Sequence, residues 1–290
     1  MNTSDQTDPA RHDEAPDTQV VLVTGASSGI GAEVARLFVD RGYTVFGTSR
    51  RPDAVADPVP GVRYVRLDNA DTGTIPALLT EVGQVDILIN NAGESQAGAL
   101  EDTPVAAIEE LFAINVLGPV ALTKAVLPGM RERRRGTVVM VGSMLSSFPV
   151  AFRSNYAATK SALKAFALAT RREVAPHGIR MIVVEPGTIA TGIGERRTTH
   201  IGERSPYRAE FEVFAAATRR NERKGLDTTA MARTIVDAAL AAHPRPFYAK
   251  GNSAPVVFLL RRFATRDVIL AMTARKHGLR RVRPRAAGRG

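Results

Sequence analysis

The 290-residue chain contains no cysteine, which excludes disulfide bonds, thiolate nucleophiles and cysteine-ligated zinc or iron–sulfur centres. A chain without cysteine suits a reducing compartment, and we expect a cytoplasmic protein. Histidine is scarce as well, and its five copies are scattered without the helical spacing of paired metal ligands. We therefore expect no metal site and interpret each histidine as a surface or cap residue.

Long hydrophobic runs are also missing. A membrane-spanning helix needs roughly 20 apolar residues, whereas the notable run near the C-terminus covers only 256–260. Residues 1–18 hold five acidic residues and two prolines without apolar periodicity, which is typical of a disordered acidic tail and not of a signal peptide. The sequence thus predicts a soluble protein with no membrane span.

The net charge of +10 is distributed unevenly. Residues 245–290 hold twelve basic residues and one acid, while residues 1–244 are close to neutral. Arginine outnumbers lysine 33 to 6, a bias that a GC-rich genome produces without any partner. Because no nucleic-acid-binding motif or interleaved aromatic residues accompany the basic segment, we expect no nucleic-acid partner. The alternative is a protein that binds nucleic acid through this segment. It would be indicated by salt-sensitive binding to nucleic acid that is lost when residues 251–290 are deleted.

From residue 19 onward, short β-branched runs alternate with longer helical stretches, which is typical of βαβ units. The pattern predicts an α/β fold, a single-domain doubly wound parallel sheet (Rossmann fold) with helices on both faces, over 19–250. Strands are expected at 20–24, 44–48, 62–67, 85–90, 136–141, 180–185 and 246–249, and helices at 29–40, 74–82, 104–132, 155–175 and 228–242. Ligands bind at the carboxyl edge of such sheets.

Two segments fall outside this repeat. Residues 192–225 are charged and weakly periodic, and we interpret them as a mobile or partly helical substrate-loop insertion. Residues 251–290 form a basic C-terminal extension, helical over 255–277 and disordered over 278–290. Its apolar side chains would line the pocket, pack in a dimer or make a peripheral membrane contact, and the sequence leaves these three readings open.

A glycine-rich turn follows the first strand. Gly25 and Gly29 allow the backbone to approach a phosphate, Gly31 allows the next helix to pack closely, and the helix N-terminus attracts the anion. The second strand ends in Arg50-Arg51 without an acid. A carboxylate there would bind the ribose of NAD, and an arginine accommodates the 2′-phosphate of NADP, so we favour NADP(H) over NAD(H). The alternative is that both arginines are solvated turn residues.

A tyrosine and a lysine lie one helical turn apart, at Tyr156 and Lys160, so their side chains share one face of a helix. An ammonium beside a phenol favours the phenolate form and assists proton transfer. Ser143 follows the strand at 136–141 and brings a hydroxyl to the same sheet edge. A tyrosine–lysine spacing of this kind is common on surfaces, and only the combination with Ser143 points to catalysis.

In this order and spacing, the motifs of 20–249 resemble the short-chain dehydrogenase/reductase family. The matched elements are the T-G-x-x-x-G-x-G turn at 24–31, Asn90-Asn91-Ala92-Gly93, Asn115, Ser143, Tyr156 with Lys160, and Pro186-Gly187 followed by Thr191. The extension beyond residue 249 is similar to those of 17β-hydroxysteroid and retinol dehydrogenase-like members.

The resemblance implies an NAD(P)-dependent oxidoreductase that acts on CH–OH groups. It implies that Tyr156 exchanges a proton with the substrate oxygen, Ser143 holds that oxygen, Lys160 binds the nicotinamide ribose and Asn115 holds a water. Ser143, Leu145 and Tyr156 are the implied substrate contacts. The implied cofactor-binding residues are Gly25, Ser27, Ser28, Gly29, Ile30, Gly31, Ser49, Arg50, Arg51, Asp68, Asn69, Asn91, Ala92, Gly93, Tyr156, Lys160, Pro186, Gly187, Ile189 and Thr191.

The substrate and the assembly are less constrained. The loop 144–153 is rich in apolar residues, which favours a lipophilic ketone or secondary alcohol as substrate. Steroid, retinoid and polyketide-like compounds are the leading classes. It is an equal alternative that these apolar residues pack against the sheet or a partner subunit. The family likeness implies a homodimer or homotetramer. A catalytically silent NADP-binding sensor or scaffold protein is the alternative function, disfavoured by the intact serine, tyrosine and lysine.

Overall fold

The computed structural model describes residues 19–189, 194 and 196–279. The tail 1–18, Thr191 and residues 280–290 lie outside the described residues. The strands are β1 (Val20–Val23), β2 (Thr44–Ser49), β3 (Val62–Arg66), β4 (Ile87–Asn90), β5 (Gln96–Gly98), β6 (Gly136–Val141), β7 (Ile179–Pro186), β8 (Thr198–His200) and β9 (Phe247–Lys250). The α-helices are α1 (Gly29–Val39), α2 (Ile75–Val82), α3 (Val105–Phe112), α4 (Gly118–Glu132), α5 (Ser154–Val174), α6 (Arg208–Arg223), α7 (Thr228–Leu240), α8 (Ala254–Phe263) and α9 (Arg266–Lys276).

Seven of the described strands form one parallel sheet in the order β3-β2-β1-β4-β6-β7-β9. This confirms the predicted doubly wound fold, and each predicted strand of this sheet lies within two residues of its observed bounds. The strand order reverses between β1 and β4, and this topological switch opens a crevice at the carboxyl ends of the strands. The site described below lies at that crevice.

The core has two layers because the sheet is covered on both faces. On one face, α1 and α7 pack against the sheet through buried residues such as Phe38 and Ile235. On the other, α2, α4 and α5 bury side chains such as Leu122 and Leu163. All six residues of β6 are buried, as expected of a central strand covered by helices on both sides. Each fully buried leucine contributes about 1.5–3 kcal/mol.

One helical stretch, Val105–Glu132, has the length and hydropathy of a membrane span, and it is the one such stretch within the described residues. It spans 28 residues, and an 18-residue window within it has a mean hydropathy of 1.7, although no uninterrupted apolar run in the sequence approaches the length of a membrane span. Counting uninterrupted apolar runs overlooked it because Glu109, Glu110 and Lys124 divide the apolar positions. Three of its buried side chains, Leu122, Val126 and Met130, belong to the core beneath the sheet, as in core helices of folded domains.

The weakly periodic segment 192–225 contributes a short strand and a helix. Strand β8 pairs in parallel with β5, and α6 buries Phe211 and Phe214 on one side. The helical part of this segment is α6, in which seven charged residues accompany seven apolar ones. Helices α8 and α9 follow β9 and confirm the helical prediction for 255–277.

Candidate active site

The glycine-rich turn leaves no room for side chains. Gly25 has a φ of +66°, and a Cβ at Gly31 would lie 2.2 Å from the carbonyl oxygen of Gly25 and 2.5 Å from Nδ2 of Asn91. Ser28 is the N-cap of α1 but makes no side-chain capping hydrogen bond, and the first turn of the helix carries no acid. An open turn ending at a helix N-terminus fits the pyrophosphate of a dinucleotide.

Thr24 joins this turn to the segment after β4. Its Oγ1 accepts hydrogen bonds from the backbone nitrogens of Asn91 (3.0 Å) and Ala92 (2.9 Å). The Nδ2 atom of Asn91 donates to the carbonyl oxygen of Thr24 at 3.0 Å. Asn90 faces the other way, since its Nδ2 donates to Oγ1 of Thr123 on α4 at 2.9 Å. Only Asn91 of this pair contributes to the wall of the cavity.

Asn115 connects three parts of the site. It lies in a π-helical turn, Ala113–Leu117, and is fully buried. Its Oδ1 accepts from the backbone nitrogen of Glu94 at 2.8 Å, and its Nδ2 donates to the Glu94 carbonyl at 2.9 Å and to Oγ1 of Thr159 at 3.2 Å. A Cβ at Gly93 would lie 2.9 Å from Oδ1 of Asn115. Asn115 therefore fixes the loop after β4 relative to α5.

Ser143, Tyr156 and Lys160 line the same cavity, which has a volume of about 280 Å³. Lys160 is buried, its Nζ donates to the Val141 carbonyl oxygen at 3.1 Å, and that nitrogen lies 5.9 Å from the centroid of the Tyr156 ring. Oγ of Ser143 accepts from the backbone nitrogen of Leu145 at 3.2 Å. The structure thus brings together at one crevice three side chains that the sequence singled out.

The other residues expected to bind cofactor divide into two sets. Those that line the cavity are Ile30, Asn91, Gly93, Pro186, Gly187 and Ile189. Those that do not line it are Gly25, Ser27, Ser28, Gly29, Gly31 and Ala92 near the glycine-rich turn, Ser49 at the end of β2, Arg50 and Arg51 after it, and Asp68 and Asn69 after β3. Oγ of Ser49 accepts from the backbone nitrogen of Arg51 at 3.2 Å, Asp68 Oδ1 accepts from that of Ala70 at 3.0 Å, and Nδ2 of Asn69 donates to the Ile114 carbonyl at 3.2 Å.

The apolar side chains of the loop 144–153 line the cavity and also pack against other parts of the same chain. Met144, Leu145 and Phe148 line the cavity, and Phe148 also contacts Phe258 of α8 edge-on, with ring centroids 5.0 Å apart. Of the apolar residues in the C-terminal extension, Val257, Ile269 and Met272 reach the cavity. Several others are exposed at the surface, among them Leu259, Leu260, Phe263 and Leu270.

Several polar residues of the cavity were not identified from the sequence: Ser95, Arg153, Arg197, Glu222, Lys276 and His277. Arg153 precedes Tyr156 by three positions, which is a helical spacing, and this was the available signal. The others come from distant parts of the chain and carry no motif.

His277 is the C-cap residue of α9, in line with its interpretation as a surface or cap residue, and it also lies in the cavity wall. Its Nδ1 lies 2.8 Å from the Thr273 carbonyl oxygen and its ring packs 5.6 Å from that of Phe214. Burial lowers the pKa of this histidine below its ordinary value of 6.5, and the charges of Lys276 and Arg153 lower it further. The neutral imidazole is therefore favoured at this wall.

Comparison with known proteins places this site in a family. The family model described as short chain dehydrogenase matches residues 19–202. Dehydrogenase/reductase SDR family member 7B of Bos taurus is 38% identical over 226 residues, which cover 68% of this chain and 70% of that protein. 3-Ketodihydrosphingosine reductase of Bacteroides thetaiotaomicron is 31% identical over 238 residues, covering 80% of this chain and 87% of that protein.

Solved structures agree with the sequence relatives. A short-chain dehydrogenase from Streptomyces avermitilis superposes with a TM-score of 0.74 at 36% identity, covering 86% of this chain and 93% of that one. The closed form of serine dehydrogenase complexed with NADP+ gives a TM-score of 0.68 at 25% identity, covering 81% and 96%. The chain therefore belongs to the short-chain dehydrogenase/reductase family and is an NAD(P)-dependent oxidoreductase that acts on CH–OH groups of small-molecule substrates.

Proposed function

We propose that this protein is an NADP(H)-dependent oxidoreductase that interconverts a lipophilic ketone and its secondary alcohol. The observation that carries the proposal is the meeting of Ser143, Tyr156 and Lys160 in one cavity, beside the Pro186–Gly187 segment and opposite an apolar wall. A hydroxyl, a phenol and an ammonium at the carboxyl edge of a parallel sheet are the groups that carbonyl reduction requires.

In the proposed mechanism, Tyr156 gives its phenolic proton to the carbonyl oxygen during reduction and takes it back during oxidation. Ser143 donates a hydrogen bond to the same oxygen and orients it. The bound nicotinamide supplies or accepts the hydride. Lys160 donates to the Val141 carbonyl and its ammonium lies 5.9 Å from the centroid of the Tyr156 ring, from where it would bind the ribose hydroxyls. Asn115 holds the adjoining loop and, with a bound water, gives Lys160 a route for protons.

The preference for NADP(H) rests on guanidinium groups near the glycine turn. Arg50 follows β2, its side chain is 72% exposed, and its nearest ion-pair partner is Glu94 at 3.8 Å. Arg196, which the sequence reasoning did not identify, donates from Nη1 to Oγ of Ser28 at 3.0 Å. Two arginines at this turn favour a 2′-phosphate, and the structurally similar serine dehydrogenase was solved with NADP+.

The lipophilic substrate is proposed from the cavity wall. Six of its apolar side chains come from the loop after β6 and from the C-terminal helices: Met144, Leu145, Phe148, Val257, Ile269 and Met272. Pockets with such walls and a few convergent polar groups hold apolar ligands in a fixed orientation. A relative named 3-ketodihydrosphingosine reductase is consistent with a ketone carrying a long apolar chain.

The proposed chemistry is tested by NADPH oxidation with a panel of aliphatic and cyclic ketones, comparing wild type, Tyr156→Phe and Tyr43→Phe. Tyr43 packs edge-on against Phe38, outside the cavity, and is the matched control. We expect Tyr156→Phe to lower kcat by about 10²–10⁴-fold with NADPH affinity retained, and Tyr43→Phe to retain turnover. Turnover by Tyr156→Phe at the wild-type rate would refute the assigned proton donor.

The cofactor preference is tested separately with Arg50→Asp and, as control, Arg131→Asp at the exposed end of α4. Loss of a charge-assisted contact to phosphate should weaken NADPH binding by about tenfold or more. NADH, which lacks the 2′-phosphate, should be affected much less. Equal losses for both nucleotides would contradict the preference for NADP(H).

A further inference from the structure

A pair of arginines lies at the substrate end of the cavity, beyond the residues used for proton transfer. Arg153 is only 6% exposed, and its guanidinium carbon lies 4.4 Å from the centroid of the Tyr156 ring. Its Nη2 donates to Oγ of Ser95 at 3.0 Å. Arg197 approaches the same hydroxyl, with Nε donating to Ser95 Oγ at 3.2 Å. Two guanidinium groups therefore share one neutral acceptor.

The carboxylates of the described cavity compensate only part of this charge. Glu222 forms an ion pair with Arg197, and Glu94 pairs with Arg50 outside the cavity at 3.8 Å. Arg153 makes no ion pair, and its buried Nε has no hydrogen-bond acceptor, as far as the described residues extend. A buried guanidinium with free donors is costly unless an anion completes it.

A third cation faces the same space from the C-terminal helices. Lys276 lies at the end of α9 and lines the cavity, and its ammonium has no ion-pair partner in the part of the chain that the structure describes. Partial burial lowers the pKa of this lysine. Burial, followed by the charge of Arg197, lowers the pKa of Arg153 to about 10, so Arg153 remains a cation at neutral pH.

We propose that this arginine–lysine cluster, Arg153, Arg197 and Lys276, binds an anionic oxygen group of the substrate, a carboxylate or a phosphate monoester. The inference rests on the proposed function and specifies its substrate class. Because Arg153 lies on the ring of Tyr156, the anionic group is a few bonds from the reacting carbonyl. The rest of the substrate then lies along the apolar wall. Planar guanidinium groups with free N–H donors bind such oxygen pairs in a fixed orientation.

Matched substrate pairs test the cluster in the wild-type enzyme with NADPH. One pair is 3-oxodecanoate and its methyl ester, and the other is the phosphate monoester of 1-hydroxydecan-2-one and the free hydroxyketone. We expect kcat/KM to be at least tenfold higher for the anionic member of one pair, mainly through a lower KM. The pair that shows the difference identifies the group as carboxylate or phosphate. Equal kcat/KM within both pairs would overturn the subsite and leave the oxidoreductase function standing.

Two variants localise the effect. Arg153→Met should lose the preference for the anionic member, measured as the ratio of the two kcat/KM values within each substrate pair. Since Arg153 is buried and its replacement endangers folding, Lys276→Met at the rim is the second variant, expected to reduce the preference several-fold. Lys250→Met in β9, outside the cavity, is the control. An unchanged preference in a folded Arg153→Met protein, or in both variants, would overturn the assignment.

A binding measurement separates the subsite from catalysis. Calorimetric titration of the enzyme with NADP+ present should show decanoate or decyl phosphate binding at least tenfold more tightly than decanol. In Lys276→Met, this ratio of dissociation constants should be smaller than in wild type. This outcome supports the cluster even if no ketone of the panel is reduced, in which case the proposed function fails alone. Equal affinities for all three ligands would overturn the cluster.

Discussion

The ammonium nitrogen of Lys160 lies 3.1 Å from the carbonyl oxygen of Val141, the last residue of β6. Because Lys160 belongs to α5, this hydrogen bond fixes the helix that carries Tyr156 relative to the edge of the sheet. The position of the phenol therefore depends on a contact between two elements and not on the helix alone.

Replacing Lys160 with methionine removes this hydrogen bond and the charge next to Tyr156. We expect the variant to fold, because methionine fills a similar buried volume. Its kcat should fall by about 10²-fold or more and its KM for NADPH should rise. Steady-state kinetics would measure the loss, with Lys124→Met at an exposed position of α4 as the control. Wild-type kcat and KM in both variants would contradict the role assigned to Lys160.

Adding a methyl group at Gly31 should disrupt the cofactor turn. Its Cβ would lie 2.2 Å from the Gly25 carbonyl oxygen, so the turn or α1 must shift. We expect Gly31→Ala to weaken NADPH binding by more than tenfold and to lower the melting temperature. The control is Gly129→Ala within α4, where alanine is favoured over glycine by about 1 kcal/mol and the new methyl meets only the end of the Arg133 side chain.

Asn115→Ala should reduce the free energy of unfolding by about 2–4 kcal/mol, because the Glu94 backbone groups and Thr159 lose their partner in a buried site. Urea denaturation would measure this loss, with Asn155→Ala as the control. The Asn155 side chain lies near the start of α5, where its Oδ1 accepts a hydrogen bond from Oγ of Ser154. A loss below about 0.5 kcal/mol would mean that the loop after β4 is held by other contacts.

The neutral His277 side chain makes stability depend on pH. Since its pKa in the folded protein is lowered from 6.5, the folded state binds the proton less readily than the unfolded chain. The contribution of the neutral His277 to the free energy of unfolding is present above about pH 6.5, and it is lost as the pH falls toward the lowered pKa of the folded state. The decline in unfolding free energy from pH 7.5 to 5 should be smaller in His277→Gln than in wild type. His243→Gln, at an exposed position, should decline as wild type does, and identical slopes in all three proteins would contradict the prediction.

We expect a homo-oligomer formed through the outer face of α4 and α5. Leu117, just before α4, and Phe166 and Leu168 on α5 leave 57%, 47% and 39% of their surfaces exposed, and large exposed apolar side chains favour self-association. Phe166→Asp should reduce the mass measured by sedimentation to that of a monomer. Phe263→Asp, at a 78% exposed position on α8, should keep the wild-type mass, and an unchanged mass in Phe166→Asp would contradict the interface.

Local patterns explain why the strands and helices of the sheet were predictable. The glycine turn at 25–31 and the Tyr156–Lys160 spacing involve residues a few positions apart, so backbone conformation alone relates them. The long helix Val105–Glu132 was predicted as a helix but not recognised as apolar enough to span a membrane. Its charged positions Glu109, Glu110 and Lys124 divide the apolar runs along the chain and are exposed in the folded protein.

By itself, the sequence determined the parallel sheet, the glycine-rich turn and the serine, tyrosine and lysine at the carboxyl edge, because the alternation of strands with helices and the helical spacing are local properties of the chain. Only the tertiary structure decided which charges face the substrate. Arg153, Arg197, Glu222 and His277 come from four separate segments, and they meet because α6 and α9 fold over the sheet edge. Their chemistry depends on burial and mutual distance, which no spacing along the chain contains.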